Sequence, residues 1–149
     1  MKLLVQRVTG ARLDVEQDGR REHMGTIGPG LVVYTGIEKG DASVVVETLA
    51  AKLTTLRIFE DEQGKMNRSV VDIGGSVMVI PNFTLAGNTR KGTRPSFDNA
   101  MAPAQARPMF EMFVRLVAGS GRPVVPGVFG ASMFINQENA GPVSILING

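Results

Sequence analysis

Apolar and polar positions alternate loosely from Lys2 to Thr9, then strictly where Ala11, Leu13 and Val15 are each followed by a polar residue. A period of two marks a strand with one face buried, and Asp18-Gly19 supplies the turn that ends it. Leu31–Ile37 is nearly continuous in apolar residues, the pattern of a strand covered on both faces. The period then changes. Asp41 reads as the N-cap of a helix running to about Leu56, with Val45, Leu49, Leu53 and Leu56 as its core-facing stripe. Arg57–Glu60 begins a further strand that turns at Glu62-Gln63-Gly64, and Ser76–Ile80 is another buried one. A second helix is expected from about Pro103 to Val117, with Met109, Phe113, Leu116 and Val117 inward. Pro108 falls inside it, where proline costs about 3 kcal/mol, so the helix either kinks there or begins near Arg107. Strand-like runs at 124–125, 131–136 and 143–147 complete the chain, and Gly141-Pro142 reads as the turn between the last two. Many strands and two helices without regular βαβ alternation define an α+β fold with mostly antiparallel sheet.

At 149 residues the chain is expected to form one domain, residues 1–149, large enough for a real core. Hydrophobic residues are 43% and charged residues 20%, an ordinary globular balance. No apolar run approaches ~20 residues, so no membrane-spanning helix is expected. Met1–Arg7 reaches a charge too early for a signal-peptide core, and the expected compartment is cytoplasmic. With a net charge of only +2, nucleic-acid binding has to come from local patches.

Candidate chemistry is narrow. Absence of cysteine removes disulfides, thiolate nucleophiles and Cys-ligated zinc together. The single histidine, His23, sits in the polar run Arg20-Arg21-Glu22-His23 and reads as a solvated strand-edge residue. A His-based triad and a multi-His metal site are therefore not expected, leaving hydroxyls, amides, backbone groups or the substrate itself. Gly25–Gly30 is rich in glycine but lacks a phosphate-cradling pattern. Pro81-Asn82-Phe83-Thr84 follows a buried strand, a common place for functional groups on a rigid scaffold. Asn88–Pro95 is the densest basic segment, and Arg90, Lys91 and Arg94 are the candidates for a nucleic-acid backbone. Arg7, within the first strand, reads on its own as a solvent-facing charge.

Taken together, Pro81-Asn82-Phe83-Thr84-Leu85 and Asn139-Ala140-Gly141-Pro142-Val143-Ser144 resemble the two signature segments of the D-aminoacyl-tRNA deacylases, Ser-Gln-Phe-Thr and Asn-x-Gly-Pro-Val-Thr. The resemblance covers essentially the whole chain. Leu4–Val8, Arg57-Ile58-Phe59 with Gly64-Lys65-Met66-Asn67, Gly75-Ser76-Val77 and Arg94-Pro95-Ser96-Phe97 match further family segments in order. Pro81-Asn82 and Ser144 depart from the family pattern. The first departure bears on fine substrate positioning, and the second keeps the hydroxyl.

The resemblance implies a barrel-like core with two main helices and hydrolysis of the ester between a D-amino acid and the 3′-terminal adenosine of tRNA. It extends the substrates to glycine mischarged on the alanine tRNA. Asn82, Phe83 and Thr84 are implied as the catalytic segment, with the ribose 2′-hydroxyl assisting. Gly141, Pro142, Asn139, Val143, Arg7 and Met66 are implied in substrate binding and selectivity, through a Gly-cisPro element inserted into the partner subunit of a homodimer. Arg7 would hold that element in place. The partners so implied are tRNA and a second copy of the chain, with no DNA, no membrane, no metal and no cofactor. Two competing expectations stand beside this one. One is a relative with a trans Gly-Pro peptide that edits a mischarged L-amino acid, and the other is a non-catalytic RNA-binding relative.

Overall fold

Alternation carries the first strand without a break from Lys2 to Gln17 (β1), and the rest of the sheet is laid against its two edges. The computed structural model describes all 149 residues. Along one edge run Arg20–Ile27 (β2) and Gly30–Gly36 (β3), both antiparallel to β1 and separated only by Gly28-Pro29. The Asp18-Gly19 turn takes positive φ at both residues (51° and 72°), a conformation that aspartate and glycine tolerate. Along the other edge runs the last strand, Ser132–Asn148 (β8).

Beyond β3 the sheet changes character. Ser76–Pro81 (β6) lies parallel to β3, and Val124–Pro126 (β7) lies parallel to β6. A parallel neighbour needs a crossover. Helix Ser43–Thr55 (α1) and the hairpin of Phe59–Glu60 (β4) with Met66–Arg68 (β5) lie in the first connection. Helix Pro103–Ala118 (α2) lies in the second. The sheet is thus mostly antiparallel, as expected, but two crossover units are built into it that the sequence pattern did not disclose. Both helices cover one face of the sheet, where Leu31, Val33, Val77 and Val79 meet Leu49, Leu53, Phe110 and Phe113. On the opposite face the sheet curls so that β2 approaches β7, with Gly25 against Val125. The enclosed space holds Val8, Leu13, Ile27, Val32, Met78 and Ile80. The result is a nearly closed barrel with two helices outside it, which explains why β3 is apolar on both faces.

Three local expectations are corrected. Asp41 does not cap α1: its carboxylate accepts from the Glu38 N–H at 2.7 Å and receives the Met1 ammonium, leaving Ala42 at the cap position. The buried stripe of α1 is Val46, Leu49, Ala50 and Leu53, with Val45 and Leu56 only partly covered. Helix α2 runs unbroken through Pro108. Ala104, whose carbonyl loses its partner there, is exposed together with Pro108, so the orphaned oxygen faces water. Its buried stripe is Ala106, Phe110, Phe113 and Val117, and Leu116 is exposed.

His23 lies in β2 with Nδ1 3.1 Å from Asp14 Oδ1 and Nε2 3.3 Å from Thr26 Oγ1. Arg12 donates to the same carboxylate through Nε at 2.9 Å. The Arg12 hydrogen bond, with smaller help from His23, holds the nearly buried Asp14 carboxyl below its ordinary range. A depressed folded pKa contributes stability above the unfolded value of about 3.9, and that contribution is lost as pH falls through the folded value. Asp14→Asn should therefore lower the urea midpoint at pH 7 and flatten its decline below about pH 4. An acid dependence identical to that of the parent chain would remove Asp14 from this account.

Candidate active site

The longest irregularity in the sheet lies opposite Arg7. In the β1–β8 ladder Gln6 pairs with Ser144 and Val8 with Asn139. One residue of β1 thus faces four of β8, Ala140 to Val143. The excess is pushed out of the ladder as a bulge. Gly141-Pro142 is therefore not a turn between two strands, as the pattern suggested, but an interruption within one. Gly141 takes φ +122°, a conformation few residues other than glycine adopt, and the Gly141–Pro142 peptide is cis. Both residues are exposed.

Arg7 is not a solvent-facing charge. Its side chain is 11% exposed and works as a clamp between two segments. Nε donates to the Ala140 carbonyl at 3.1 Å and Nη1 to the Ile58 carbonyl at 2.8 Å, while Nη2 lies 3.6 Å from Glu60 Oε1. The β4–β5 hairpin that carries exposed Met66 is thereby tied to the bulge. A polar chain flanks the bulge on the other side. Gln137 Nε2 donates to Gln6 Oε1 at 2.8 Å and to Asn139 Oδ1 at 2.7 Å, and Gln6 Nε2 donates to Ser144 Oγ at 3.1 Å. Tyr34 donates to Gln137 Oε1 at 3.1 Å, and burial raises the pKa of its phenol.

The other signature segment forms a separate feature. Parallel pairing sets Thr35 of β3 against Pro81 of β6, and the Asn82 N–H donates to the Thr35 carbonyl at 2.8 Å. Asn82 then caps a short 3-10 helix, Phe83–Ala86. Its Oδ1 accepts from the Thr84 N–H at 3.1 Å and from the Thr84 hydroxyl. Phe83 is 60% exposed and meets Phe97 edge to face, with centroids 5.2 Å apart. Behind this pair lies a cavity of about 440 Å³ between the end of β3, the 3-10 helix, the start of α2 and Phe129. Its wall is almost wholly apolar, formed by Ile37, Phe83, Phe97, Met101, Ala106, Phe110 and Phe129 among others. The exceptions among its side chains are Asn82 and Thr35. Thr35 is 2% exposed and its hydroxyl has no hydrogen-bond partner.

Asn82 and Phe83 line the cavity, whereas Thr84 lies just outside it. Gly141 and Pro142 do not line it, and neither does Arg7 or Met66. Arg90, Lys91 and Arg94 are exposed on a loop that the Asn88–Ser96 bridge closes immediately after the 3-10 helix. Sequence reasoning passed over Thr35, Tyr34, Gln6 and Gln137. Only the polar interruption of an otherwise apolar β3 could have singled out the first two.

The model of the D-Tyr-tRNA(Tyr) deacylase family matches residues 4–148, and the chain belongs to that family of hydrolases. Proteins named D-aminoacyl-tRNA deacylase from Opitutus terrae and Heliobacterium modesticaldum are each 46% identical to it over 149 residues, with 97% of either relative covered. The protein of that name from Ruegeria pomeroyi is 47% identical over 145 residues, covering 97% of both chains. Among solved structures, one titled "c-Myc DNA Unwinding Element Binding Protein" superposes with a TM-score of 0.91 at 36% identity, covering 100% of this chain and 99% of that one. A probable eukaryotic D-amino acid tRNA deacylase superposes at 0.80 with 17% identity, covering 98% and 97%, and speaks for the fold alone.

The bulge geometry leaves no space at Gly141. A Cβ there would stand 2.9 Å from Val143 Cγ2 and 3.0 Å from Arg7 Nη2. Gly141→Ala should destabilise the fold by about 1–3 kcal/mol, read from the denaturant midpoint, since backbone strain adds to the displaced clamp. A midpoint equal to the parent's would show the bulge to be freely adjustable.

Proposed function

We propose that this chain hydrolyses the ester bond of D-aminoacyl-tRNA, releasing the D-amino acid and the tRNA. The observation that carries the reading is the apolar cavity closed by Asn82 and Phe83, in a chain of the deacylase family, with no general base in its lining. An aminoacyl ester brings its own help, because the ribose hydroxyl beside the ester can assist attack by water. The protein then needs mainly to orient the carbonyl and stabilise the oxyanion. Thr84 fits a positioning role: its hydroxyl is given to Asn82, and a threonine nucleophile needs a base to activate it. Tying Thr84 N and Oγ1 to one carboxamide oxygen makes the segment rigid before substrate arrives.

Selection between enantiomers is assigned to the Gly141-Pro142 bulge, working across a homodimer. The bulge is exposed, clamped by Arg7, and absent from the lining of its own chain's cavity. Exposed Leu146 (66%) and Ile145 lie just beyond it on β8, on the strand that a second copy would cover. Inserted into a partner's site, a stiff backbone wall would exclude an L side chain while leaving D side chains and glycine free. Rejection by a clash requires no contact with the D side chain. Glycine mischarged on tRNA, including the alanine tRNA, belongs among the substrates on this account. Action on charged tRNA is the ground for proposing a cytoplasmic location.

Single-turnover rates on D-Tyr-, D-Asp-, glycyl- and L-Tyr-tRNA test the reading. The two D-substrates should be cleaved at similar rates, glycyl-tRNA measurably, and L-Tyr-tRNA spared. Widely different D-rates, or appreciable L-Tyr cleavage, would rule out exclusion by a wall, since contact recognition discriminates by about 1–3 kcal/mol per methylene.

The exposed loop carrying Arg90, Lys91 and Arg94 is assigned to the tRNA backbone rather than to chemistry. Neutralising all three should weaken tRNA binding and reduce the slope of log affinity against log salt, because fewer counterions are released. An unaltered slope would make the loop a solubilising one.

A further inference from the structure

We infer that Gln137, anchored by Tyr34, is a positioning residue for the Gly141-Pro142 bulge and so sets how strictly L-aminoacyl esters are excluded. The inference rests on the reading of the bulge as a wall given above. The pattern of β8 does not call for glutamine at this place. Met133 and Ile135 pack on the cluster inside the barrel, and a period of two puts residue 137 on the same face. Tyr34 stands in the same way two residues after Val32 on the inner face of β3. An apolar pair would continue both patterns. Instead the two polar groups meet, and the Gln137 carboxamide is fully engaged. Its Oε1 accepts from the Tyr34 hydroxyl at 3.1 Å, and its Nε2 donates to Gln6 Oε1 at 2.8 Å and to Asn139 Oδ1 at 2.7 Å. Gln6 Nε2 continues the chain to Ser144 Oγ at 3.1 Å.

Asn139 and Ser144 are the residues at which the bulge leaves and rejoins the ladder, opposite Val8 and Gln6. The side chains therefore close a second link between the two ends of the bulge, outside the backbone ladder. Arg7 does not supply this link. It grips one carbonyl of the bulge, that of Ala140, and a segment held at one inner point can still pivot about it. Gln6 and Arg7 are neighbours in β1 and point to opposite faces. Arg7 reaches Ile58, in the cluster under the helices, whereas Gln6 joins a chain that ends at Tyr34 on the barrel interior. The bulge is thus held from both faces. Polar groups in a partly buried place that apolar side chains could fill stabilise little, but they select one arrangement among near-equals. A wall that excludes by standing at a fixed place needs that selection.

Gln137→Leu removes all three bonds of the carboxamide and keeps its bulk, and Tyr34→Phe removes one. Single-turnover rates on D-Tyr-, L-Tyr- and glycyl-tRNA, the thermal midpoint, and amide hydrogen exchange of the segment 138–146 are to be measured for the parent, both single variants and the double variant. In Gln137→Leu the ratio of the D-Tyr to the L-Tyr rate should fall about tenfold, through a faster L-Tyr rate, a loss of the order of one hydrogen bond. Glycyl-tRNA has no side chain to meet the wall and should be cleaved as by the parent. The midpoint should stay level or rise, and exchange in 138–146 should quicken. Tyr34→Phe should lower the ratio by less. Added to Gln137→Leu it should change nothing further, since it acts only through that residue. An unchanged ratio in Gln137→Leu, with a parent that cleaves D-Tyr-tRNA and spares L-Tyr-tRNA, would overturn the inference and leave the function standing. A lowered midpoint with all three rates reduced together would make Gln137 merely structural and overturn the inference as well. A parent that cleaves none of the three esters, while exchange still quickens in Gln137→Leu, would sink the proposed reaction and keep the clamp on the bulge. Exchange equal to the parent's would overturn the clamp whatever the activity.

Discussion

The last strand is longer than the stretch of the first strand it pairs with, and the surplus residues have to leave the ladder somewhere. They leave opposite Arg7, between the pairs Gln6–Ser144 and Val8–Asn139. From Lys2–Asn148 to Gln6–Ser144 and again from Gly10–Glu138 to Glu16–Ser132 the two strands are in ordinary antiparallel register, so the bulge cannot slide without breaking pairs at both ends. Arg7 completes the constraint from below. A mostly buried guanidinium needs its donors satisfied, and the carbonyls of Ala140 and Ile58 satisfy two of them. The same side chain therefore fixes the bulge, the β4–β5 hairpin and their distance from the barrel.

A second set of constraints shapes the cavity. The two crossover units place β3, β6 and β7 side by side with both helices on one face. The cavity lies at the ends of β3 and β6, where the chain leaves the sheet for the 3-10 helix. Strand ends are rigid up to their last ladder bond, and the first residues past them are free to carry function. Asn82 uses that position economically: its N–H continues the sheet to Thr35, and its carboxamide starts the next element. Bulge and cavity are thus built by different parts of the sheet and do not meet within one chain.

The chemistry agrees with this economy. His23 is engaged with Asp14 and Thr26 and does not line the cavity, and the titratable groups with displaced pKa values are likewise outside its wall. A site of this kind suits a substrate whose reactivity is intrinsic, and a selectivity that comes from shape.

Much of this was legible along the chain. Period-two alternation in β1, the doubly buried β3 and the two helices follow from local chemistry, because each residue's face depends only on its neighbours' spacing. The absence of cysteine and the lone histidine bounded the mechanism directly, and the two signature segments pointed to the family. Other features were settled by residues far apart in sequence. The merging of two strands into β8, the clamp from Arg7 to Ala140 and the capture of Asp41 by the Met1 ammonium each depend on a partner that periodicity does not name. The same holds for Thr35, whose buried hydroxyl is left without a partner where Pro81 stands opposite it in the parallel register. A side chain's face is a local property, but its partner is a property of the closed fold.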